Sequence, residues 1–381
     1  MRHVHVIDEL KTGGAQTHLI TMLRGALSVP GVEHHVVSLF GDGEMSDQIR
    51  KLGIPVRILD LRPHFRKSRF LSATREVQAL LKSMKPDLVE AHLTWSRLIA
   101  LFAAWRVGVP LRIGFEPGDV YLNSWKFRCA NFVAQLFAHR VVVCSEALRN
   151  WVHRTHRISR SKLLVLHCCV DLTAFSPDGP KSGDVAFAPG TTVFCAVGTL
   201  GRGVNKRVDV CIQAVAEARS VGVDVKLVIC GDGEQRHELE KLAASLGVGS
   251  DVLFLGTRSD VASILRACDA FCHAAPWEPF GIVALEAMAV GLPIVLPNSG
   301  GIREILESGK GGILYPALDH QSLGQAMVKL AQDRRLCKSM GEEGLRIAEE
   351  RFSVQQYLSQ LYGAYGIPIA PISAAMAGSR I

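Results

Sequence analysis

Short apolar runs alternate with segments of helical period along most of the chain. In the first half the runs are Val4 to Asp8, His35 to Phe40, Val56 to Leu59, Leu88 to Ala91, Arg112 to Phe115, Val141 to Cys144 and Leu163 to Leu166. The stretch Ser176 to Gly190 is rich in Pro, Gly, Ser and Asp, has no period and reads as a linker. A second series follows: Val193 to Val197, Val225 to Cys230, Val252 to Leu255, Ala270 to His273, Ile294 to Leu296 and Ile313 to Tyr315. Ser322 to Ala331, Arg335 to Arg351 and Val354 to Ala364 carry a helical period. Strands that alternate with helices build βαβ units and parallel sheets. The pattern therefore predicts an α/β fold of two doubly wound, Rossmann-like domains, 1–175 and 191–353, joined by linker 176–190, with 366–381 as a loose tail. At 381 residues the chain exceeds what one hydrophobic core usually holds.

One stretch breaks the alternation. In Trp277 to Val295, the residues Ile282 to Leu285 and Ala287 to Ala289 are apolar on every face, and Gly291 and Pro293 close the segment. This predicts a helix buried all round, with Glu286 inside it and Glu278 just ahead of it. An ionised carboxylate in such a place costs several kcal/mol unless it is paired. A basic neighbour would serve, and so would a ligand with vicinal hydroxyls. The turn Pro279, Phe280, Gly281 leaves the first N–H groups of the helix free to meet an anion or a hydroxyl.

The string Pro-Phe-Gly after Glu278, the Glu-Ala-Met-Ala-x-Gly-x-Pro around Glu286, and Asn298, Ser299, Gly300, Gly301, Ile302, Arg303 and Glu304 beyond them resemble the retaining GT-B glycosyltransferases of family 4, or glycosyl transferases group 1. The resemblance covers residues 1 to 365 and implies two domains facing a cleft. The first binds the acceptor, the second binds a nucleoside diphosphate sugar, and the final helix at 354–365 packs back onto the first. It implies that Glu286 binds ribose, that Glu278 touches the donor sugar, and that the N–H groups of Phe280, Gly281 and Ile282 meet sugar hydroxyls or phosphate. Lys206, with Arg202 if it reaches, stabilises the departing diphosphate, and backbone at Thr257 and Arg258 holds the base of a UDP- or GDP-sugar. Gly13, Gly14 and Ala15 lie on a loop facing donor phosphate or acceptor, and His92 ends a strand as a catalytic and acceptor-side group.

Three departures from the family pattern stand out. Glu116 occupies the place of a family histidine, which the resemblance puts on the acceptor side, Thr199 that of an arginine, and Cys168-Cys169 that of Asn-Gly. They keep a non-catalytic sugar-nucleotide sensor open beside the transferase, as the shared architecture keeps open an epimerase or a glucan synthase. No Asp-x-Asp occurs, so neither a metal nor any other cofactor is expected.

Composition changes this picture in two respects. The ten cysteines form no C-x-x-C pair and fall in apolar runs, which reads as reduced thiols in a cytoplasmic protein. The net charge of +7 is uneven: residues 1–180 hold 24 Lys and Arg against 15 Asp and Glu, and residues 181–381 hold 19 against 21. A basic first half suits an anionic partner, and LRPHFRKSRF, where Arg62, Arg66, Lys67 and Arg69 crowd against Leu61, Phe65, Phe70 and Leu71, is the expected point of peripheral contact with an anionic membrane. No basic stripe interleaved with aromatics appears, so nucleic acid is not an expected partner.

Overall fold

The computed structural model describes residues 1–11, 13–62, 70–116, 118, 124–201, 206–306 and 309–367. Arg202, most of the basic segment (63–69) and the tail beyond 367 lie outside them. The chain divides into two compact units, Met1–Cys169 with Val354–Ile381, and Val170–Ser353.

In the first unit the apolar runs become β1 (Arg2–Ile7), β2 (Glu33–Ser38), β3 (Val56–Ile58), β4 (Leu88–His92), β5 (Leu111–Glu116), β6 (Arg140–Val143) and β7 (Leu163–Val165). They pair in parallel in the order β3-β2-β1-β4-β5-β6-β7. Between them lie α1 (Gly14–Ala26), α2 (Glu44–Lys51), α3 (Phe70–Met84), α4 (Thr94–Arg106), α5 (Trp125–Phe137) and α6 (Glu146–His156). The core gathers Ile7, Leu19, Leu23 and Val36 with Tyr357, Leu358, Leu361 and Tyr362 of the chain's last helix.

The second unit repeats the plan with β8 (Thr192–Val197), α7 (Val208–Ser220), β9 (Val225–Cys230), α8 (Arg236–Ser245), β10 (Val252–Gly256), α9 (Val261–Arg266), β11 (Ala270–Cys272), α10 (Ile282–Ala289), β12 (Ile294–Pro297), β13 (Gly312–Tyr315), α11 (His320–Gln332) and α12 (Arg334–Arg351). The strand order is β10-β9-β8-β11-β12-β13, again parallel. α13 (Val354–Gly363) belongs to the first unit.

The segment expected as a linker is bonded to the second unit. Arg266 donates from Nε to the Ser176 carbonyl at 2.7 Å and from its terminal nitrogen to Ala174 at 2.9 Å, while Arg258 reaches Asp184 at 2.6 Å. These bonds stitch 174–184 onto the second unit, which is why the division falls at Cys169 and not at 175. All ten cysteines are free thiols, nine of them buried.

Candidate active site

The order of the second sheet reverses between β8 and β11. Open α/β sheets bind ligands at such a point, beside the carboxyl ends of the strands. Lys206 follows β8, and His273 and Glu278 follow β11. Lys206 Nζ donates to Glu278 Oε1 at 2.5 Å, and His273 Nε2 stands 3.9 Å from Oε2. Burial alone would raise the Glu278 carboxyl, but His273 and the Lys206 ammonium outweigh it and hold the group at about 2. The carboxylate is therefore ionised at neutral pH.

Its loop is fixed from below. Gly301 N–H donates to the Glu278 carbonyl at 2.8 Å, and Ser299 Oγ donates to the Pro276 carbonyl at 2.5 Å. Gly300 has φ +62°, and a Cβ there would lie 2.7 Å from the Glu278 carbonyl oxygen. Gly281 has φ +95°, and its Cβ would meet Ile302 Cδ1 at 2.8 Å. Both glycines are thus needed for conformation and for space. Beyond Gly281, α10 begins with the N–H groups of Ile282 and Val283 unmatched by any acceptor among the described residues. The side chain of Glu286, inside α10, is buried, and its carboxylate makes no hydrogen bond or ion pair with a described residue. Burial pushes its carboxyl up to about 8. Beside Lys206 opens a pocket of about 360 Å³, lined among others by Thr199, Leu200, Arg207 and Gln235.

The first sheet reverses between β1 and β4. Gly13 caps α1 in an extended conformation, with Gly14 exposed behind it. Asp8, at the end of β1, accepts from Ser96 N–H and Oγ at 2.6 Å each and so ties β1 to α4. His92 ends β4 at 2% exposure, in a cluster with His3, His5, His34 and Glu90 on one face of β1, β2 and β4. Glu90 Oε2 lies 3.1 Å from His3 Nε2 and 3.5 Å from His5 Nδ1. Ligand atoms of His3, His5 and His34, and of His5, Glu90 and His92, fall within 4.8 Å of one another, so this cluster is where the described residues could hold a metal ion.

Two family descriptions match the chain: "Glycosyltransferase Family 4" over residues 12–174 and "Glycosyl transferases group 1" over 182–346. The chain belongs to the family 4 glycosyltransferases of GT-B fold. It is 25% identical over 377 residues to EpsF of Bacillus subtilis, covering 96% of each chain. It is 34% identical to N-acetyl-alpha-D-glucosaminyl L-malate synthase of Bacillus anthracis over 160 residues, 42% of either chain, so it matches less than half of that relative's length. Among solved structures, HepE of Anabaena in complex with UDP superposes with a TM-score of 0.81 at 21% identity, over 96% of this chain and 100% of that one; this likeness is one of fold.

Within this glycosyltransferase the structure pairs Lys206 with Glu278, sets Gly281 and Ile282 at the start of α10, and buries Phe280 and Glu286. It changes three expectations. Lys206 was expected to have the leaving diphosphate as its partner, yet it already has Glu278, because a buried carboxylate needs a counter-charge whether or not ligand is bound. Glu116 was expected on the acceptor side. It is 1% exposed, and Oε2 accepts from Arg97 at 2.5 Å, with Asn131 on the same guanidinium, so a buried ion pair accounts for it. His92 is sealed from solvent, and its neighbours are the histidine cluster and Phe115, 5.4 Å away, which leaves no open face for an acceptor. The Arg258 guanidinium is held by Asp260 and Asp184, so only backbone remains there for a base. His273 was missed. Its signal was a polar residue directly after a strand, at the carboxyl end of a parallel sheet and five positions before Glu278.

Proposed function

We propose that this glycosyltransferase moves a sugar from a nucleoside diphosphate sugar to an acceptor hydroxyl, with retention of configuration and without a metal ion. The observation that carries the reading is the Lys206–Glu278 pair at the β8/β11 reversal, followed along the chain, inside α10, by a buried carboxylate, Glu286, that has no partner among the described residues. Glu286 takes the two ribose hydroxyls, the ligand that a buried acceptor without donors calls for. Glu278 takes hydroxyls of the transferred sugar, and the free N–H groups at the start of α10 meet sugar or phosphate oxygens.

In the reaction the bond between the anomeric carbon and the diphosphate oxygen breaks, with its electron pair going to the diphosphate. The acceptor oxygen takes its place, and its proton passes to an oxygen of the departing diphosphate. Lys206 carries three N–H donors, so it can keep Glu278 and still meet the growing negative charge. Arg202 is the second cation of the proposal. The base lies against backbone at Thr257 and Arg258, the donor is a UDP- or GDP-sugar, and the acceptor, a glycan, a lipid-linked sugar or a small molecule, meets the first unit at Gly13 and Ala15.

A melting-temperature screen against UDP-, GDP- and ADP-sugars tests the donor, since a ligand at 100 times its Kd stabilises by about 2.7 kcal/mol. NMR of the product then reads the anomer, with and without EDTA. An inverted anomer removes retention, loss of turnover in EDTA removes metal independence, and no stabilisation by any sugar nucleotide removes the reading as a whole.

A further inference from the structure

α5 is amphipathic the wrong way round. Its inward face carries Ala130 and Ala134 together with two amides, Asn131 and Gln135, all buried. Asn131 Oδ1 accepts from Arg97, and Gln135 Nε2 donates to the Arg157 carbonyl at 3.4 Å, so the polar groups are consumed inside. The outward face carries the large apolar side chains: Trp125 is 69% exposed, Leu136 58%, Phe132 44% and Val133 39%, and Cys129 is exposed among them. Positions 125, 129, 132, 133 and 136 follow the spacing of a single helical stripe. Trp105, 49% exposed, extends the stripe through Phe137, with ring centroids 5.3 Å apart.

The rim of this stripe is basic. Residues 124–162 hold eight Lys and Arg against one acidic residue, Glu146, which Arg149 already pairs at 2.6 Å. Lys126, Arg128, Arg154 and Arg157 are exposed around α5 and the adjoining end of α6. Aromatic and aliphatic side chains on one helix face, bordered by uncompensated cations, are complementary to a bilayer surface of anionic lipid, where the apolar face enters the acyl boundary and the cations meet headgroups.

We infer that the outward face of α5 docks this enzyme onto an anionic membrane. Two other occupants fit less well. A symmetric dimer through this face would set two surfaces of the same positive charge against each other, and a nucleic acid offers phosphates to the rim but nothing to Phe132, Val133 and Leu136. The surface lies outside the sugar-nucleotide site and does not depend on the donor assignment.

Cys129 is the one exposed thiol of ten, so it can carry an environment-sensitive fluorophore on the full-length chain. With vesicles of phosphatidylglycerol and phosphatidylcholine at low salt, the dye should shift to the blue and the protein should float with the lipid. Phosphatidylcholine alone, or the mixed vesicles in high salt, should bind at least tenfold less. The triple substitution Trp125→Ser, Phe132→Ser, Leu136→Ser should lower vesicle binding tenfold or more with an unchanged melting temperature, because all three side chains already face outward. Three results overturn the inference: no flotation with the anionic vesicles, flotation that survives the triple substitution, or a dimer in light scattering that the triple substitution dissociates. Equal binding of single-stranded nucleic acid through the same residues would transfer the face to that partner and overturn it as well.

Discussion

Removing Lys206 leaves Glu278 as a charge in the interior with its main counter-ion gone. Breaking a buried pair on one side costs about 3–5 kcal/mol, so Lys206→Ala should lower stability as well as turnover. Adding Glu278→Gln should restore most of the stability and none of the activity. A melting curve of Lys206→Ala that matches the parent would show that the pair does not hold Glu278 ionised. The two glutamates should also fail differently. Glu286→Ala should weaken donor binding, whereas Glu278→Gln should lower turnover with less change in donor affinity, the mark of a contact that strengthens toward the transition state. Equal losses of donor affinity, with turnover intact at saturation, would reduce Glu278 to a binding residue. Glu286 carries a further expectation from its carboxyl, which burial raises from the ordinary 4.5 to about 8. Between those values the folded chain keeps a proton that the unfolded chain has lost, so stability falls as pH rises through this window, by up to roughly 5 kcal/mol. Glu286→Gln should flatten that fall. Ribose hydroxyls that donate to the carboxylate would drive the proton off, so donor binding near pH 7 should release protons, read by calorimetry in buffers of different ionisation enthalpy; proton uptake would contradict the ribose assignment. The need of Glu286 for a partner was legible because seven apolar neighbours surround it in sequence. The pairing of Glu278 was not, since Lys206 lies 72 positions away and only the sheet order brings them together.

At the scale of the strand, the opening RHVHVI shows where a sequence pattern misleads. Alternation gives Val4 and Val6 one face and His3 and His5 the other, which normally means a buried face and a wet one. A doubly wound sheet is covered on both sides, so His3, His5, His34, Glu90 and His92 are all enclosed. Burial pulls His3 and His34 down to about 3, and His18 and His92 to about 4, while it raises Glu90. For each histidine the unfolded chain takes up a proton near 6.5 that the folded chain refuses. The stabilisation is therefore complete above pH 6.5 and is lost as pH falls toward the folded value, at about 1.4 kcal/mol per unit for each ring. Glu90 acts in the opposite sense, contributing most at low pH and least once pH exceeds its raised value. His5 is lowered as well, and burial raises Asp8 to about 6; these five histidines outweigh the two carboxyls, so the first unit should unfold on acidification from pH 6.5 before the second, where Glu278 keeps its charge down to about 2. Circular dichroism against pH reads this, and a first unit unchanged at pH 4.5 would show that the cluster is protonated in place. α5 misleads in the same way, because its sequence is amphipathic but nothing in one helix says which face turns inward.

For the whole molecule, the repeated series of runs made two parallel sheets legible, because strand and helix periods differ and each unit shows both. Where the chain ends up was not legible from period. α13 has an ordinary amphipathic pattern that would suit either unit, and its place on the first was implied by the family resemblance alone. The structure gives the physical reason: Val354, Tyr357, Leu358, Leu361 and Tyr362 are buried against α1 and β1, and Tyr362 Oη lies 3.4 Å from His3 Nδ1. A chain ended at Ser353 would strip these five side chains from the first core. At about 1.5–3 kcal/mol for each large apolar side chain exposed, the loss reaches the whole stability of an ordinary domain, about 5–15 kcal/mol. Calorimetry of the shortened chain should accordingly lose the transition of the first unit and keep that of the second, whose core draws on no residue of α13. The substitution Tyr362→Phe isolates the polar part of the contact and should cost far less, about 1 kcal/mol for one hydrogen bond. If the chain ended at Ser353 melts like the full one, α13 contributes no more than a surface helix, and the first unit must be stable on the helices and strands that precede it.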